Sequence, residues 1–190
     1  NLALEAITAQ GTLFAVPSVI LDSMRAKELL ERALAMAEEL ENEAVESKIQ
    51  WSLMLATNME GGSPEQSLVY GQRSLALARK HKLAEQLAYT LHDMARPLSM
   101  LGRWDEALAS SEEAGRLFRE QNNMPMVVDN MATASSGYFL MGQLDLSLER
   151  AQEALALSRR IGSLWGESYA NMRAGFALIE LGYVGQGLKA

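Results

Sequence analysis

The sequence predicts an all-α protein, a right-handed α-solenoid of antiparallel helix pairs, and three observations carry that prediction. Gly62, Gly102, Gly142 and Gly182 stand forty residues apart, and six residues after each comes a leucine: Leu68, Leu108, Leu148 and Leu188. Helical periodicity lies on both sides of each glycine, and no alternating strand pattern competes with it. A unit that recurs at such an interval cannot bury its apolar face alone, so it stacks on its neighbours.

Each repeat supplies a helix A before the glycine and a helix B after it. Helix A is clearest in Leu87, Leu91, Met94, Ala95, Leu98 and Leu101, whose spacings of three and four put them on one face. Helix B runs through Leu68, Gly71, Leu75 and Ala78, and again through Leu148, Ala151, Leu155 and Ser158. Ser63–Pro64–Glu65–Gln66 reads as a helix start, with Ser as cap, Pro at the first helical position and Gln reaching back from the third. The basic B-helix ends, such as Arg79 and Lys80 or Arg159 and Arg160, complement the negative pole of the helix dipole.

In order, the predicted helices cover 2–15, 22–40, 43–60, 64–80, 83–101, 104–121, 124–141, 144–160 and 164–181, with a stub from 184. They make one solenoid over 1–190 of about four and a half hairpins: 1–42, 43–82, 83–122, 123–162 and a truncated 163–190. The first hairpin is longer, since Gly11 to Ala26 spans three residues more than Ala95 to Ala107, with the insertion at Val16–Pro17–Ser18. The chain starts without Met and stops eight residues after Gly182, so it is expected to be a piece of a longer protein. The unfinished repeat is expected to leave Leu178, Leu181 and Leu188 to fray or to pack on another copy.

Composition narrows the function. A formal charge of -7 and a pI near 4.9 argue against a surface that tracks nucleic-acid phosphates or anionic lipid. Without Cys there is no thiolate nucleophile and no cysteine-rich zinc site, and two His make a metal cage improbable. No apolar run reaches the ~20 residues of a membrane span. A cytoplasmic protein that is no enzyme, with no catalytic residue, cofactor or metal, is the expectation.

Further residues carry a resemblance. Trp51, Met54, Leu55 and Asn58, then Leu91, Met94, Ala95 and Leu98, Met131, Ala134, Ser135 and Tyr138, and Asn171, Ala174, Gly175 and Leu178 alternate large and small residues along helix A. Helix B adds Gly102, Trp104, Ala107 and Ala114, then Gly142, Leu144, Ser147 and Ala154. This pattern resembles the tetratricopeptide repeat (TPR), with a period of forty in place of 34. Phrases such as Ala154–Leu155–Ala156–Leu157–Ser158–Arg159 are similar to the longer repeats of LuxR-type large ATP-binding regulators and multidomain signalling proteins. The resemblance implies a protein-protein interaction or effector-sensing domain of a bacterial signalling or transcriptional regulator, or alternatively a free-standing peptide-docking or complex-assembly adaptor. Implied partners are a protein or peptide segment or attached domains of the same chain.

The candidate binding residues are those of each helix A that face away from its own helix B. The forty-residue interval gives Ile49, Ser52 and Ala56; Tyr89, His92 and Arg96; Asp129, Ala132, Ser136 and Phe139; and Tyr169, Met172, Arg173 and Phe176. Tyr89, His92, Arg96, Asp129, Phe139, Tyr169, Met172, Arg173 and Phe176 form the expected concave groove. Aromatic residues and arginine are the types that carry interface energy. Relative to chaperone-docking repeats, whose Lys and Asn hold a C-terminal carboxylate, the frame His92, Arg96, Thr133, Tyr169, Arg173 matches in type only at Arg173. His92–Asp93 is read as a surface or groove pair, His81 as solvated, and Met24, Met54, Met94 and Met141 as core-facing.

Overall fold

The computed structural model describes residues 2–189. Among them are ten helices and no strand: α1 (Leu2–Ala15), α2 (Ser23–Glu39), α3 (Glu43–Met59), α4 (Pro64–Lys80), α5 (Ala84–Met100), α6 (Trp104–Glu120), α7 (Met124–Leu140), α8 (Leu144–Ile161), α9 (Leu164–Glu180) and the short α10 (Val184–Gly187). Each predicted helix is present within a residue or so of its expected ends. They fall into two compact units, Asn1–Leu101 with α1–α5 and Gly102–Ala190 with α6–α10.

Within each unit, consecutive helices pack as antiparallel neighbours. The A helices also lie against each other, α1 on α3 and α3 on α5 in the first unit and α7 on α9 in the second. The B helices do not: α2 stays off α4, and α6 stays off α8. Each unit therefore has a continuous A-helix layer and, behind it, a seam between two B helices that is floored by the A helix between them.

Short polar side chains start many of these helices. Asp22, Asn42, Ser63, Asn123 and Ser163 each accept a backbone N–H from the residue three further on. At Ser63 the return bond differs from the predicted capping box: the Ser63 hydroxyl donates to Glu65 Oε2 at 2.5 Å, and Pro64 opens the helix as expected. The α1–α2 connection covers 16–22, so the predicted insertion at Val16–Pro17–Ser18 is a longer loop.

Small residues let the helices approach. In the first unit Leu4, Ala26, Leu30, Ala33, Ile49 and Leu53 form the core, and a Cβ on Gly11 would stand 2.7 Å from Leu30. In the second, Val128, Ala132, Ala154 and Ala170 do so, with Met131, Leu155 and Leu157 packed against them. Buried hydroxyls tie the crossings. Ser47 and Ser74 each donate to the other's carbonyl at 3.0 and 2.8 Å, while Ser135 and Ser147 do the same at 2.8 and 2.9 Å.

The forty-residue interval slips at one place. Four residues separate α3 from α4, whereas three separate α5 from α6 and α7 from α8. The extra residue is Gly62, because Gly61 takes the left-handed φ of 70° that Gly102 and Gly142 adopt at 70° and 72°. Counted from the helix start, α3 is therefore one residue out of the predicted frame: Lys48, Trp51 and Leu55 correspond to Tyr89, His92 and Arg96. Ile49, Ser52 and Ala56, expected in the groove, are all fully buried. Met24 departs too, since it is 72% exposed at the start of α2, while Met54 and Met94 are buried as expected.

Candidate functional site

The A-helix layer of the second unit presents an ordered aromatic column. Trp165, Tyr169 and Arg173 stand at i, i+4 and i+8 of α9 and so share one face. The Trp165 and Tyr169 rings stack with centroids 6.1 Å apart. The Arg173 guanidinium lies 4.8 Å from the Tyr169 centroid, and its Nη2 donates to the Tyr169 hydroxyl at 3.0 Å. From α7, Asp129 accepts a 3.4 Å hydrogen bond from the Trp165 indole, and Phe139 meets Phe176 at 6.5 Å.

Much of this column is open to solvent although it is apolar. Trp165 is 70% exposed, Phe176 47% and Met172 42%. Arg173 Nε is buried without an acceptor. A buried donor left unpaired costs free energy that only an acceptor brought to that buried nitrogen would recover.

The first unit carries a related arrangement on α3 and α5. Trp51 donates from its indole to Asp93 Oδ2 at 2.7 Å, and its ring lies 5.8 Å from that of Tyr89. Beside them is a cavity of about 450 Å³ whose walls include Thr12, Lys48, Trp51, Glu85, Gln86 and Tyr89. Arg96, further along α5, is exposed and makes no ion pair among the described residues.

The nine candidate residues thus divide between the units, with Tyr89, His92 and Arg96 in the first and Asp129, Phe139, Tyr169, Met172, Arg173 and Phe176 in the second. His92 is 6% exposed and lies 3.9 Å from the Asp93 carboxylate, so it is a buried residue of α5 rather than one on a surface. Two tryptophans were missed. Trp51 stands in the family pattern, where it reads as core, and Trp165 stands one turn before the first candidate of its helix; the i, i+4, i+8 spacing to Tyr169 and Arg173 was the signal for the second.

The seam behind α3 carries a set of ion pairs. Glu43 accepts from Lys80 and from His81, the latter at 2.6 Å, and these two bonds hold its pKa down at about 2. His81 is therefore a partner of Glu43, not simply solvated. Glu46, 6% exposed, accepts from Arg73 Nε at 2.8 Å, and that bond raises the Arg73 pKa. Among the described residues no group of three or more His, Asp or Glu could hold a metal ion, and no helix is long and apolar enough to cross a membrane.

Solved structures share this arrangement of helices. BtubC (BKLC) from P. vanneervenii superposes with a TM-score of 0.75 at 17% identity, over 88% of this chain and 70% of that one. A Podosopora anserina protein assigned as a kinesin light chain, with nearly identical TPR-like repeats, gives 0.74 at 16% identity, covering 98% of this chain and 90% of its own. The fold is TPR-like. A single-substitution variant of the Podosopora protein superposes with a TM-score of 0.75 at 17% identity and the same coverage. At these identities the likeness extends to the fold alone. No family model matches the sequence, and no curated protein does.

Proposed function

We propose that this TPR-like chain is a docking module without catalysis of its own, which captures a protein segment on its A-helix layers. One observation carries the proposal: Trp165, Met172 and Phe176 are left exposed beside an Arg173 whose Nε lacks an acceptor. Solvent-facing aromatics next to a guanidinium held by Tyr169 suit a segment that offers an aliphatic or aromatic side chain and an acceptor close to it. On the first unit, the cavity beside Trp51 and Tyr89 suits a single inserted side chain.

A placement inside a multidomain bacterial signalling or transcriptional regulator is supported by the phrase Ala154–Leu155–Ala156–Leu157–Ser158–Arg159, and a free-standing adaptor is the alternative. The full-length gene separates these two, because a regulator would encode NTPase, cyclase or DNA-binding modules beside this segment. The docking role itself is tested by selecting from a displayed peptide library. Peptides that bind should lose about 1–4 kcal/mol of affinity on Trp165→Ala or Arg173→Glu, with circular dichroism unchanged. Selected peptides that ignore both changes, or a library that yields no binder, would remove the proposal.

A further inference from the structure

Equivalent positions in the two seams differ in charge. Counted from the first residue of each helix, Glu43 corresponds to Met124, Glu46 to Val127 and Lys80 to Arg160. In the first unit the carboxylates on the floor helix α3 pair with Arg73 and Lys80 of α4. In the second, the floor helix α7 offers methionine and valine instead, and Arg160 remains without a carboxylate. So does Arg119 of α6, on the opposite wall, among the described residues. The one acid at the rim, Glu153, is already taken by Arg150 at 2.8 Å.

What remains is a cavity of about 420 Å³, apolar at its base through Met124, Val127, Met131 and Leu157, with a guanidinium on each side. Its volume falls within the range of small-molecule pockets. We infer that the seam between α6 and α8 binds a small amphiphilic carboxylate, whose chain covers the methionines and whose head stands where Glu43 stands in the first unit. Arginine pairs a carboxylate through two parallel N–H donors, so a single head group can engage Arg160 while its chain enters between the walls. The site lies on the B-helix side of α7 and shares no residue with the aromatic column of α7 and α9.

Octanoate is a suitable probe, followed by NMR of the methionine methyl groups. The methyls of Met124 and Met131 should shift saturably, while those of Met54 and Met94 stay in place. Octylammonium, with the same chain and the opposite charge, should leave all four unmoved. Arg160→Glu should weaken octanoate by at least about tenfold, the size of one charge-assisted contact. Met124→Glu, which supplies an internal carboxylate at the Glu43 position, should abolish the saturable shift with the circular dichroism intact. Absence of an octanoate shift, equal binding of octylammonium, or indifference to both substitutions would overturn the assignment. So would binding of an acidic leucine-containing peptide but not octanoate, which would move the site to a protein partner.

Discussion

The seam between α2 and α4 and the seam between α6 and α8 occupy the same place in their units, yet they are lined by different chemistry. The first is stitched by Glu46 to Arg73 and by Glu43 to Lys80 and His81. The second has no acid on its floor, and Arg119 and Arg160 stand beside Met124 and Met131 around an open cavity. A repeat architecture fixes where the gap falls, and the side chains at each copy decide what lines it: carboxylates in the first, in a cavity of about 350 Å³ beside Ala37, Glu38, Glu41, Glu43 and Glu46, and guanidinium groups over methionines in the other.

The largest effect expected from this difference is on stability. Arg73→Ala strands the buried Glu46 carboxylate and should cost about 1–2 kcal/mol, less than a fully buried pair would, because the Arg73 side chain is 51% exposed. Arg160→Ala removes a cation that has no partner and should change stability by less than about 0.5 kcal/mol. Urea unfolding of the two variants measures both, and equal losses would break the comparison.

A second contrast lies at the helix crossings. Ser147 of α8 exchanges hydrogen bonds with Ser135. Its counterpart Ser67 of α4 has Met54 at the position equivalent to Ser135, and its buried hydroxyl has no partner. Ser147→Ala should therefore cost about 1 kcal/mol, and Ser67→Ala should be neutral or stabilise by up to about 1 kcal/mol. The same unfolding experiment reads the sign.

The smallest effect is on acid tolerance. Glu43 is held at about 2 in the folded chain against an ordinary value of 4.5. A carboxylate whose folded pKa is depressed favours the folded state above its unfolded value, and that contribution fades as pH falls from about 4.5 towards 2. Glu43 is well solvated, so the effect is modest and salt-sensitive. Glu43→Gln should flatten the pH dependence of stability over that interval, as measured by thermal melts at low and moderate salt. A slope that is unchanged in the variant would assign the acid sensitivity elsewhere.

Most helix boundaries were legible because periodicity coincides there with a capping side chain or a turn glycine, as at Asn42, Ser63, Gly102 and Gly142. The frame of α3 was not. Two adjacent glycines, Gly61 and Gly62, both satisfy the turn as a string, and only the backbone angle distinguishes the one that closes the helix. That one-residue slip put Ile49, Ser52 and Ala56 on the wrong face and hid Trp51. Met24 was misjudged because the longer α1–α2 loop leaves the start of α2 uncovered. The candidate residues on α9 needed no such correction of frame, since α7 and α9 keep the forty-residue spacing. Ion pairing across the seam was illegible for a different reason: Glu43 and Lys80 are 37 residues apart, and neither sits in a pattern that marks a partner.

The most direct test of the seam comparison is a double-mutant cycle between Met124→Glu and Arg160→Ala, read by urea unfolding. If position 124 in α7 is to Arg160 what Glu43 in α3 is to Lys80, the new carboxylate should stabilise the chain only when Arg160 is present. A coupling of about 0.5–1 kcal/mol is then expected. A coupling indistinguishable from zero, with both single variants folded, would contradict the equivalence of the two seams.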